Sequence, residues 1–102
     1  LLPMNPDFPL DLHLYKDIAA ISRAVNNKLR QRMLRTLHTK GRLTVTELRI
    51  ELKIEQSATS THLKVLREAG FVVAKREGKS VYYSIDYKRI NDMQGIFKKL
   101  LL

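Results

Sequence analysis

A chain of 102 residues with 44% hydrophobic content supports one small core, and such a core gains from burial against a second subunit. Nineteen Lys and Arg against ten Asp and Glu leave a net charge of +9, which favours a polyanionic partner, either nucleic acid or an anionic membrane surface. The lack of cysteine excludes disulfides, thiolate metal sites and thiol redox switches, and no apolar run approaches the roughly 18 residues of a spanning helix.

The start, "LLPMNPDFPLDL", lacks the basic region of a signal peptide, so a cytoplasmic protein that does not enter membranes is expected. Met4 stands where an initiator would, and Leu1 to Pro3 carry no weight. Pro3, Pro6 and Pro9 predict an extended arm over residues 1–10, followed by a single domain over 11–102 with no interior linker or repeat. Leu14, Ile18, Ile21 and Val25 recur at helical spacing and define a first helix, broadened by Leu12, Tyr15 and Ala19. Asn26-Asn27 breaks or caps the chain. Leu29, Met33, Leu34 and Leu37 then form a second stripe, ending near Lys40-Gly41, where glycine suits a left-handed cap.

A short third helix carrying Leu48 and Leu52 is expected from Thr46 as N-cap, and "KIEQSA" turns into "EQSATSTHLKVLREAG", Glu55 to Gly70. Two short helices joined by a tight turn form a helix-turn-helix. Beyond Gly70, "FVVAK" and "SVYYSI" flank Arg76-Glu77-Gly78-Lys79 as a hairpin with a charged tip, and Ile90, Met93, Phe97 and Leu100 place a last helix over 87–102. The expected fold is mainly α with a small β-hairpin, in the order α-α-α-α-β-β-α, a winged helix-turn-helix.

The fourth helix begins with residues that favour helices least. At about 100° per residue, Thr59, Leu63 and Leu66 fall on an inward stripe, while Ser57, Ser60, Thr61 and Lys64 share another face. Short polar side chains there let a helix N-terminus sit deep in a DNA major groove; equally, Ser and Thr favour the first turn of any helix through local capping bonds. Lys75, Arg76 and Lys79 at the hairpin tip suit phosphates beside that groove, or simply keep a turn solvated. Residues 27–53 hold 8 basic and 2 acidic side chains, a local +6, whereas 1–26 hold 2 and 3. The helix, its neighbouring hairpin and this charge together favour DNA. The remaining alternatives are a protein-interaction module and an architectural DNA-binding protein of low sequence specificity.

"LRQRMLRTLHTKGRLTVTEL", "QSATSTHLKVLREAGFV" and "KREGKSVYYSI" together resemble the winged helix-turn-helix repressors of the ArsR/SmtB family, over roughly residues 18–100. The resemblance implies a homodimeric transcriptional repressor that binds double-stranded operator DNA and responds to an effector, here unidentified. It implies that Gln56, Ser57, Ser60, Thr61 and His62 lie at or beside the DNA. It also implies that the terminal helices pair across a dimer, through Leu14, Ile18, Ile21, Ile90, Met93, Phe97 and Leu100. From the residues themselves, phosphate contacts are expected mainly from Lys64, Lys75, Arg76, Lys79 and some of the basic residues in the second and third helices.

Where many members carry a Cys-x-Cys metal pair, this chain has Thr44-Val45-Thr46, whose neutral hydroxyls are poor ligands for soft metals. Near Asp92-Met93-Gln94 no histidine or glutamate follows to complete the other familiar site. No metal or cofactor is therefore expected, although His13 with Asp11 or Asp17 makes a conceivable carboxylate–imidazole pair. His38 is expected to interact with its helix's negative end, and His62 to meet DNA or to support the fold. With no cysteine nucleophile, carboxylate–histidine motif or glycine-rich phosphate loop, no enzyme activity is expected.

Overall fold

The computed structural model describes residues 12–101, with side chains as far as Lys98. The proposed arm, Asp11 and the Leu100 side chain lie outside that range. In chain order the elements are α1 (Leu12–Val25), α2 (Lys28–Lys40), β1 (Arg42–Leu43), α3 (Val45–Leu52), α4 (Gln56–Glu68), β2 (Val72–Glu77), β3 (Ser80–Ile85) and α5 (Tyr87–Leu101).

The helix boundaries have local causes. Asn27 caps α2 by accepting from the Arg30 backbone N–H at 2.9 Å, and Gly41 ends the helix at φ 92°. Helix α3 starts two residues earlier than Thr46 suggested. Thr44 is its N-cap and forms a reciprocal box: Glu47 N–H donates to Thr44 Oγ1 (3.2 Å), and Thr44 N–H donates to Glu47 Oε1 (2.9 Å). The turn into α4 passes through Lys53 in the left-handed region, at φ 56°. There the Lys53 and Ile54 N–H groups satisfy the last carbonyls of α3.

The hairpin is part of a larger sheet. A two-residue strand, β1, adds to β3 so that the antiparallel order is β1-β3-β2, with Arg42 opposite Ser84 and Leu43 opposite Tyr83. The register pairs Lys75 with Tyr82 and Glu77 with Ser80, leaving Gly78-Lys79 as the turn. Side chains alternate across the ribbon. Val72, Ala74, Arg76, Val81 and Tyr83 therefore share the face that begins at the core. Arg42, Val73, Lys75, Glu77 and Tyr82 share the opposite one.

Met33, Leu37, Leu48, Leu63, Leu66 and Val72 form the fully buried centre, joined by Thr59, whose hydroxyl donates to the Glu55 carbonyl at 2.8 Å. The inward stripe expected for α4 is thus the one observed. Met93 differs from expectation. It is 4% exposed within the single chain and packs in the core cluster, so it is not available to a dimer face; α5 packs over the core at Ile90 and Met93.

Candidate nucleic-acid interface

Helix α4 presents Gln56, Ser57, Ser60, Thr61 and Lys64 to solvent, opposite its buried stripe. Glu55 occupies the N-cap with extended backbone but makes no side-chain capping bond, so the first-turn N–H groups are not closed off by the cap residue. Thr61 Oγ1 donates to the Ser57 carbonyl at 2.9 Å. Its hydrogen is committed within the helix while its lone pairs face outward, which suits it to accept from a base amino group.

His62 is placed differently from these neighbours. It is half-buried, and Arg30 Nη1 of α2 lies 3.1 Å from its Nδ1. Burial, and secondarily the Arg30 charge, hold its pKa below the ordinary histidine range. The ring's observed polar partner is therefore an arginine of the fold, and the supporting role is the one its geometry favours. Arg30 itself also donates through Nε to the Ala24 carbonyl (2.6 Å) and through Nη2 to the Arg23 carbonyl (3.0 Å). Composition had counted it only as part of a basic stretch.

On the wing, Lys75, Arg76 and Lys79 are all exposed, and alternation sends Lys75 and Arg76 to opposite faces. Arg42 is braced against the same ribbon: its guanidinium lies 4.2 Å from the Tyr82 ring centroid, and Nη1 is 2.7 Å from Glu77 Oε2. The Arg42 hydrogen bond lowers the Glu77 pKa, and the same bond raises that of Arg42. Sequence reasoning missed this brace because β1 is needed to bring Arg42 to the wing.

The Thr44-Val45-Thr46 segment lines a cleft with Lys79, Ser80 and Val81. Its donors are hydroxyls facing an ammonium group, a poor setting for a cation. Among the described residues, no three His, Cys, Asp or Glu side chains are grouped to hold a metal ion, and His13 and Asp17 belong to no such group. His38 corrects another expectation. Its Nδ1 is hydrogen-bonded to Tyr87 Oη at 2.6 Å, tying α2 to the start of α5 instead of turning to its own helix end. No described helix is long and apolar enough to cross a membrane.

A helix-turn-helix seated beside a three-stranded wing, with a polar recognition face and a cationic tip, defines a DNA-binding transcriptional regulator of the winged-helix class. Residues 27–73 match the bacterial regulatory protein arsR family, and the chain belongs to that family. It is 39% identical over 81 residues to the HTH-type transcriptional regulator NmtR of Mycobacterium tuberculosis, covering 79% of this chain and 67% of that one. The solved structure of Rv0081 from the same organism is 34% identical, with a TM-score of 0.67 over 86% of this chain and 88% of the other. The homodimeric winged helix-turn-helix DNA-binding domain of a possible ArsR-family regulator from Mycobacterium bovis shares the fold. Its TM-score is 0.77 at 22% identity, covering 96% of this chain and 90% of that one.

Proposed function

We propose that this chain, with 11–102 as its domain, is a homodimeric cytoplasmic repressor that occupies operator DNA and leaves it in response to a cue not sensed through thiolates. The observation carrying the proposal is the exposed Gln56, Ser57, Ser60, Thr61 and Lys64 face of α4 beside the Lys75, Arg76 and Lys79 wing. In this reading Gln56, Ser57, Ser60 and Thr61 meet base edges, and Lys64 and the wing cations hold phosphates. Dimerisation uses the outer faces of α1 and α5. Leu12 and Tyr15 remain 38% and 43% exposed in the single chain, and Ile18 and Phe97 are half-buried. Pairing these helices would cover apolar surface and set two α4 helices about 34 Å apart, the spacing of successive major grooves.

The test is selection of bound genomic fragments, followed by anisotropy titration of the best fragment and of a scrambled duplex. A palindromic site favoured about a thousandfold supports the proposal. Replacing Ser60 and Thr61 with Ala should then reduce that preference more than it reduces scrambled binding. Equal salt-sensitive binding of all sequences would point to an architectural protein, and no binding to a protein-interaction module; either result refutes operator repression.

A further inference from the structure

Helix α1 ends at Val25, leaving its last carbonyls without helical partners, and two side chains of α2 close that end. Gln31 Nε2 donates to the Val25 carbonyl at 2.9 Å, while Arg30 donates to those of Ala24 and Arg23. The remaining arm of the Arg30 fork reaches His62 Nδ1 at 3.1 Å. Arginine has no acceptor, so Nδ1 must accept, which leaves His62 neutral with its proton on Nε2. One guanidinium thereby joins the end of α1, α2 and the helix that carries Ser60 and Thr61, at the residue directly after them. We infer that Arg30 is a positioning residue for DNA reading: it fixes the His62 ring and, through it, the seat of α4 relative to α1. This rests on the proposed operator binding.

The fork shape is essential to this role. A lysine keeps the charge but offers one nitrogen, which cannot meet carbonyls on α1 and an imidazole on α4 together. Arg30→Lys should therefore leave the salt dependence of DNA binding unchanged, because no phosphate contact is lost, yet lower the operator-to-scrambled ratio by about tenfold, the scale of one charge-assisted hydrogen bond. His62→Ala should lower the ratio similarly while leaving the α1 cap in place. His62→Asn, whose amide oxygen can stand near the Nδ1 position, should recover part of it.

The experiment measures operator and scrambled affinities for wild type, the three single variants and Arg30→Lys/His62→Ala, with sedimentation and circular dichroism on each. It also records the ¹⁵N resonances of His62 in wild type and Arg30→Lys. Coupling requires the double variant to be no worse than the more damaged single, and the Nδ1-acceptor signature to be present in wild type and lost in Arg30→Lys. Additive losses, or full discrimination by a folded His62→Ala, would overturn the inference. If Arg30→Lys fails to fold, the His62 pair and the wild-type resonance still decide the matter. Failure of wild type to prefer any sequence sinks the proposed function instead, a distinguishable result.

Discussion

Removing one positive and one negative charge from the wing should move DNA binding in opposite directions. Arg76 is exposed and lies close to the wing tip, so Arg76→Ala removes one expected phosphate partner. Glu77 is the one carboxylate among Lys75, Arg76 and Lys79, and it pairs with Arg42 at 2.7 Å. Its lowered pKa keeps it charged at neutrality, so Glu77→Gln adds one unit of positive charge to the wing and leaves the Arg42 guanidinium to meet a phosphate. Each phosphate contact contributes about 0.9 to the slope of log affinity against log salt, so a rise from about 50 to about 200 mM salt corresponds to about a 3.5-fold change per contact. Anisotropy titrations across that range, with operator and scrambled duplexes, should therefore show Arg76→Ala losing about one unit of slope and Glu77→Gln gaining about one. The two duplexes should respond alike. The Arg42–Glu77 pair is solvent-exposed and contributes little to folding, so the melting temperature of Glu77→Gln should stay close to wild type. Weaker binding by a folded Glu77→Gln would show that Glu77 serves DNA binding as a brace for Arg42 and that the charge argument is mistaken; an unchanged slope for Arg76→Ala would remove Arg76 from the phosphate contacts.

Thr44→Ala breaks the capping box at α3 and should destabilise the fold by about 1 kcal/mol in urea unfolding; an unchanged midpoint would mean that water replaces the cap at no cost. Lys53→Gly relieves a left-handed conformation in a non-glycine residue at the helix-turn-helix corner, and should stabilise by up to about 1 kcal/mol, read as a raised melting temperature. The pH dependence has two windows. The folded pKa of His62 lies below its unfolded value near 6.5, so the unfolded chain takes up the proton first; stability should decline as pH falls below about 6.5 and level off once the folded histidine titrates. That decline should vanish in His62→Asn. Glu47 and Glu77 have lowered pKa values, so their contribution is complete above about 4.5 and drains away as pH falls through the folded values, a second loss visible in acid titration.

Most of the helical frame was legible because its signals are local. Apolar spacing placed Thr59, Leu63 and Leu66 inward, Asn27 marked a cap by its side chain, and Gly41 marked an end by its backbone freedom. The start of α3 was also written locally, since Thr44 and Glu47 have the spacing of a capping box, but Thr46 offered the same cap chemistry two residues later and only geometry distinguishes them. Strand β1 carried no such signal. Two residues have no period, and their pairing with Ser84 and Tyr83 depends on the whole helix-turn-helix intervening correctly. For the same reason the partners of His38 and His62 were hidden, because each lies on another element more than thirty positions away.

Charge was the most informative bulk signal and also the least local. The basic stretch 27–53 suggested a footprint along α2 and α3, yet three of its cations face partners within the chain: Arg30 the end of α1 and His62, Lys40 the Glu51 carboxylate at 3.6 Å, and Arg42 the Tyr82 ring and Glu77. Such groups still contribute to the long-range field that draws the chain towards a polyanion. They are not equally available for contact, because meeting a phosphate would require breaking an existing bond. Among the described residues, the side chains of Lys64, Lys75, Arg76 and Lys79 are exposed and make no ion pair or hydrogen bond, and they lie on or beside the polar face of α4. In the proposed reading the cations that only attract DNA and those that hold it therefore separate: Arg30 and Lys40 of α2 and Arg42 of β1 are engaged within the chain, whereas the proposed phosphate partners sit on α4 and the wing.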